Sequence, residues 1–271
     1  MKICLFVQTS SQEVYSSDTR ILLDYYKKVI SKHNLDVDVF SYQGNNDASS
    51  YSHLDKNKLF LPADERDTSL VMTELLRNIE FSFSEYDIFI KTNSSTVLNL
   101  TKICEFCNSE KFRKDMFYCA THADTNILIK KDLTLLGSPD NALEVNSYPN
   151  GNLYLFSKEI FQIISKEFSM MHEYLTNEIG QNIIKEYAEQ HMWYGVAEDL
   201  VIGCVLKRND ISCVELDFIR TYSYVFRDSD IYEKDPYAAY GISCKIDNDW
   251  EIRKHFEANL LKTVCSFYLN K

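Results

Sequence analysis

The stretch Tyr86 to Leu100 reads Tyr-Asp-Ile-Phe-Ile-Lys-Thr-Asn-Ser-Ser-Thr-Val-Leu-Asn-Leu, an apolar strand pattern that runs into a polar turn and then a helix pattern. In an open α/β sheet the crevice lies beyond the carboxyl ends of the strands. Thr92 to Thr96 could therefore project hydroxyl and amide groups into a ligand pocket. The same residue types cap helices and close turns, and taken alone the segment suits that role better. Several other chemistries are excluded. The glycines at 44, 137, 151, 180, 195, 203 and 241 stand apart, so neither a phosphate-binding P-loop nor a dinucleotide fingerprint can be built. No GxSxG elbow or HExxH helix occurs, and the six histidines are dispersed, which leaves hydrolase and zinc-peptidase chemistry without support. Cys104 and Cys107 form a lone CxxC. The eight cysteines otherwise fall in apolar segments, as reduced core thiols do.

The elements that must carry these groups follow from periodicity. Residues 2–8 read as a buried strand, and Ser17 or Asp18 is expected to cap a helix with Leu22, Tyr25, Tyr26, Val29 and Ile30 on one face. A strand at 37–42 precedes a polar stretch, 43–58, that reads as a surface loop, and 59–61 returns to the sheet. Asp67 and Thr68 cap a helix reaching about residue 81, which feeds a strand at 87–91. This β-α-β alternation predicts an α/β fold with a mainly parallel central sheet and helices on both faces. The second half is less regular. Helices are expected near 158–178, 181–190 and 197–207 and strands near 212–225. A closing helix then carries Ile252, Phe256, Leu260, Val264 and Phe267 as its stripe. Residues 1–271 are expected to form one domain, since no repeat or linker interrupts them.

A chain of 271 residues with 45% hydrophobic and 13% aromatic residues can bury a sizeable core. Its formal charge of -11 and pI near 5.1 argue against a nucleic-acid or anionic-membrane partner, which would share its sign. No apolar run approaches the roughly 18 residues that span a bilayer, and the amino-terminal run is too short for a secretory signal. A cytoplasmic protein with no transmembrane segment is expected.

The order of several segments resembles the β-1,3-galactosyltransferase and β-1,3-N-acetylglucosaminyltransferase family, the relatives of fringe proteins. Asp64 to Thr73 resembles the family's aspartate and following helix. Lys91-Thr92-Asn93-Ser94-Ser95 stands where the family has Lys-Thr-Asp-Asp-Asp, with Asn99 in the place of a family asparagine. Tyr148-Pro149-Asn150-Gly151-Asn152-Leu153-Tyr154-Leu155-Phe156-Ser157 resembles the family's glycine-bearing strand, and Glu198-Asp199-Leu200-Val201-Ile202-Gly203 its Glu-Asp-Val segment. The resemblance covers about residues 60–210. It implies a GT-A-type glycosyltransferase fold, with residues 1–110 binding a nucleotide-sugar and 111–271 binding the acceptor and carrying the catalytic groups.

That resemblance implies an inverting hexosyltransferase that moves a sugar from a nucleotide-sugar, a UDP-sugar above all, to a hydroxyl of a glycan, polysaccharide or glycolipid. Asp199 would be the general base, with Glu198 as the fallback; both also suit the first turn of a helix. Gln8 and Thr9, by their position at the end of the first strand and not by any motif, would meet a uracil or ribose, and Asp64 would hold a base, a ribose or a partner lysine in the donor pocket. Asn150, Gly151 and Asn152 would surround a sugar, against an aromatic wall of Trp193 and Tyr194. The departure is the acidic triplet. Asn93, Ser94 and Ser95 offer only neutral dipoles, whereas Mn²⁺ or Mg²⁺ is held by anionic oxygens. No cofactor is expected and these residues would not anchor a metal unaided, although the degenerate motif leaves Mn²⁺ or Mg²⁺ open; a cation-independent enzyme would meet the leaving diphosphate with Arg20, Lys91 or Lys245. The other reading is a catalytically silent nucleotide-sugar or glycan binding protein on the same fold.

Overall fold

The first strand, β1 (Ile3–Gln8), is apolar at all but its last position because helices cover both of its faces. It pairs in parallel with β2 (Val37–Gly44) on one side and with β5 (Ile88–Asn93) on the other. These strands form the centre of a sheet in the computed structural model, which describes residues 1–45, 52–65, 67–124, 147–176, 198–220, 235, 237–244 and 250–270. β4 (Lys58–Leu61) extends the sheet in parallel beside β2, and β3 (His53–Asp55) closes that edge as an antiparallel hairpin arm. The sequence reading took 43–58 as loop; part of it is this hairpin, and 46–51 lie outside the described residues.

Beyond β5 the sheet continues through β10 (Leu153–Ser157), which is antiparallel to it, then β7 (Phe117–Cys119) and β11 (Cys213–Glu215). The strand order is β11-β7-β10-β5-β1-β2-β4-β3, so one mixed, mainly parallel sheet takes strands from both halves of the chain. A two-stranded ribbon joins β8 (His122–Asp124) to β9 (Ser147–Pro149), and a small sheet collects β6 (Thr96–Leu98), β12 (Phe218–Arg220) and β13 (Gly241–Ser243). On one face lie α2 (Thr68–Ser82), α4 (Lys158–Thr176) and α5 (Glu198–Arg208). On the other lie α1 (Glu13–His33), α3 (Leu100–Cys107) and α6 (Trp250–Leu269). No described helix is long and apolar enough to cross a membrane.

Helix starts are where sequence and structure part. Asp67 does cap α2, accepting the Leu70 N–H at 3.1 Å. α1, however, begins at Glu13, so neither Ser17 nor Asp18 caps it. Asp18 is instead buried one turn in, against Arg253 and Glu257 of α6. Arg253 forks onto both Glu257 oxygens and donates to the Tyr15 hydroxyl at 2.9 Å. With the guanidinium so engaged, Asp18 stays in a poorly solvated place beside a second carboxylate. Burial first, and then Glu257, pushes its carboxyl up to about 8.

Between the ordinary carboxylate range and about pH 8 the folded chain holds a proton on Asp18 that the unfolded chain releases. Stability from this group therefore falls as pH rises through that window, by at most about 1.4 kcal/mol per unit. Asp18→Asn should raise the urea midpoint more at pH 8 than at pH 5. Parallel profiles for parent and variant would mean that Asp18 is ionised in the native state.

Candidate active site

β1 and β5 end side by side, with Gln8 in register with Asn93. β10 runs the other way beside β5, pairing Leu153 with Thr92 and Tyr154 with Lys91, so the turn at 150–152 lies at the same rim. The Thr92 hydroxyl donates to the Asn152 carbonyl at 2.7 Å, and the Asn93 side-chain amide donates to Asn152 Oδ1 at 2.8 Å. α5 starts beside the same turn. Its first N–H, on Glu198, donates to the Thr68 hydroxyl at 3.1 Å, which fixes the helix start against α2.

The adjacent carboxylates at that start have separate fates. Glu198 is buried and ion-paired with the equally buried Lys91. Lys91 also donates to the Gly151 carbonyl at 3.2 Å and stands 5.0 Å from the Tyr154 ring centre. Burial pushes the Glu198 carboxyl up, and the Lys91 ammonium draws it back. Asp199, in contrast, is half-buried. Its Oδ1 accepts the Tyr154 hydroxyl at 2.7 Å and its Oδ2 accepts the Gly151 N–H at 3.2 Å. Burial, with the nearby Asp199 and Glu198 carboxylates, holds the Tyr154 phenol well above its ordinary value, so it remains a donor.

A side chain at 151 would crowd the ends of three site side chains. A Cβ there would fall 2.7 Å from Asp199 Oδ1 and 3.3 Å from both Glu198 Oε1 and Lys91 Nζ. Among the described residues, the buried Tyr42 hydroxyl, Glu198 Oε2 and Asn152 Nδ2 have no hydrogen-bond partner. Tyr42 feels both carboxylates, which with burial raise its phenol. Unpartnered buried polar atoms are uncommon in folded proteins, and each calls for an explanation.

The polar turn after β5 is closed on itself. Asn93 Oδ1 accepts from the Ser95 N–H at 3.2 Å, the Ser95 hydroxyl at 3.0 Å and the Thr96 hydroxyl at 2.7 Å. Ser94 and Ser95 are buried. Asn93 Oδ1 is taken up by these three donors and the turn carries no carboxylate, so these residues lack the anionic oxygens that Mn²⁺ or Mg²⁺ favours. Nor does the turn enter a helix directly, as its sequence suggests. β6 intervenes, and Asn99 caps α3 by accepting the Lys102 N–H at 3.2 Å.

The remaining sequence candidates are distributed. Gln8 is half-buried at the rim. Thr9 and the exposed Arg20 instead line a groove of about 480 Å³ with Ser16, Thr19, Asn57 and Lys58. The Asp64 carbonyl accepts the Asp67 N–H at 2.9 Å, in the turn that leads to α2. Trp193, Tyr194 and Lys245 lie outside the described residues. Two residues at this rim escaped the sequence reading. Tyr154 orients Asp199; the available signal was strand alternation, which puts it one register step from Asn152. Glu65 accepts the Ser11 N–H at 2.8 Å and its hydroxyl at 2.7 Å, tying down the loop after β1; nothing in the local sequence marks that pairing across 54 residues.

No protein-family model matches the chain, and no curated protein matches it. Among solved structures, it is similar to a glycosyltransferase involved in the glycosylation of the major capsid of PBCV-1, with 11% identity and a TM-score of 0.46 over 97% of this chain and 100% of that one. It is also similar to the galactosyltransferase LgtC in complex with donor and acceptor sugar analogs, with 11% identity and a TM-score of 0.43 over 98% of this chain and 96% of that one. At these scores the likeness assigns no activity to this chain.

Proposed function

We propose that the protein is a glycosyltransferase that uses a nucleotide-sugar, with Asp199 as the base that deprotonates the acceptor. The observation that carries this reading is the Asp199 carboxylate, half-buried at the carboxyl ends of β1 and β5 and aimed by Tyr154 and Gly151. In an inverting displacement the acceptor oxygen forms its bond to the anomeric carbon as the bond to the diphosphate oxygen breaks. The acceptor proton passes to Asp199, and a nucleoside diphosphate leaves. Gln8 and Asn152 supply hydrogen-bonding groups along the same rim. The groove under Thr9 and Arg20 adds Lys58 as a cationic wall for a nucleotide.

The family's roles transfer unevenly. Lys91 is consumed by Glu198 and is not a charge partner for a leaving diphosphate; Glu198 in turn is a structural counter-ion rather than a second base. No step is assigned to a metal. The closed Asn93 turn favours the second reading, a binding protein that retains the site without turnover. Incubation with a panel of UDP-sugars, with and without Mn²⁺ or a chelator, separates the two by UDP release. Turnover indifferent to the chelator is expected. Nucleotide binding without turnover under any condition would establish the silent module, and activity restored to chelated protein only by Mn²⁺ would overturn metal independence.

A further inference from the structure

At the far edge of the sheet, the parallel pairing of β11 with β7 sets Cys213 beside Phe117 and Glu215 beside Cys119. Side chains two apart on a strand share a face, so Cys119, Cys213 and Glu215 project to the same side. The chain then bends at residues 120–121 and returns His122 to that place. One ligand atom from each of Cys119, His122 and Cys213 lies within 4.8 Å of the others. The sulfurs are 3.5 Å apart, and His122 Nδ1 is 3.2 Å from Glu215 Oε1.

We propose that Cys119, Cys213 and His122 form a three-ligand site, its fourth position open, for a soft or borderline divalent cation, Zn²⁺ above all. The geometry is the argument. Tetrahedral zinc with sulfur ligands at about 2.3 Å sets its sulfurs about 3.8 Å apart, so the observed pair needs to open by only a few tenths of an ångström. Thiolate and imidazole ligands select zinc over magnesium or manganese. Glu215 accepts the His122 backbone N–H and stands 3.2 Å from its ring Nδ1, so a carboxylate lies beside the imidazole as one does behind many metal-bound histidines. Each thiol releases its proton as it binds the ion. The cation bridges β7, β11 and the start of β8.

Its place explains what it does. β8 pairs with β9, His122 opposite Pro149, and the Asn150 N–H donates to the Thr121 carbonyl at 2.8 Å. The ion therefore anchors the ribbon that delivers Gly151 to Asp199. This inference stands whether or not the protein transfers sugars.

The test uses the full chain, reduced and stripped of metal. Titration with Co²⁺ should give thiolate charge-transfer absorption that saturates at one equivalent and is displaced by one equivalent of Zn²⁺. Zn²⁺ should raise the Tm of the parent by several degrees and leave a folded Cys213→Ser variant unmoved. Glu215→Gln should weaken zinc binding about tenfold. Absence of the cobalt band in the parent overturns the site, as does a band of full strength in Cys213→Ser. A Cys119–Cys213 disulfide formed equally fast with and without Zn²⁺ overturns it too. Should Cys213→Ser fail to fold, the stoichiometry and the Glu215→Gln affinity decide.

Discussion

Replacing Lys91 by methionine should cost about 3–5 kcal/mol of folding stability, because it leaves Glu198 without its counter-ion in the core. For a chain of this size that is a fall in Tm on the order of 10 °C. The loss should shrink as pH is lowered, since burial already pushes the Glu198 carboxyl up and protonation removes the stranded charge. The double variant Lys91→Met/Glu198→Leu should regain most of the loss, because a well-packed apolar pair is commonly as stable as the ion pair it replaces. Urea denaturation of both variants at two pH values measures this. A Lys91→Met variant within about 1 kcal/mol of the parent would show that the ammonium and carboxylate are not paired in solution.

The same pair shows what sequence could and could not reveal. Lys91 sits after the apolar run Ile88-Phe89-Ile90, and its position near the end of a central strand was legible from that pattern alone. Its partner lies 107 residues away, and only the folded register of β5 against β10 and the entry of α5 bring them together. Local signals worked where one element sufficed: the alternation of strands and helices, the Asp67 cap and the acidic first turn at Glu198. They failed where a polar residue serves a distant element. Asp18 has the chemistry of a helix cap but is buried beside α6, and Asn93 has the chemistry of a ligand group but closes its own turn. Cys119 and Cys213 look like separate core thiols in the sequence, where nothing marks β7 and β11 as neighbours.

That division bears on the carboxylate proposed for catalysis. Asp199→Asn keeps the shape of the side chain and one acceptor oxygen, so either the Tyr154 hydroxyl or the Gly151 N–H loses its partner. The stability cost should be about 1–2 kcal/mol. Activity should suffer more. Loss of a general base commonly removes a factor of about 10²–10⁴ in turnover, and UDP release at saturating donor and acceptor should fall by that order while nucleotide binding is retained. Tyr154→Phe supplies the internal control. It leaves Asp199 in place with one positioning hydrogen bond fewer, so its loss of turnover should be smaller, about tenfold. A base acting through its own proton transfer gives that ordering, whereas a merely structural Asp199 gives variants whose activity tracks their stability. Turnover in Asp199→Asn near the parent level would remove this residue from the chemistry, and the assignment of the rim as a transfer site would go with it.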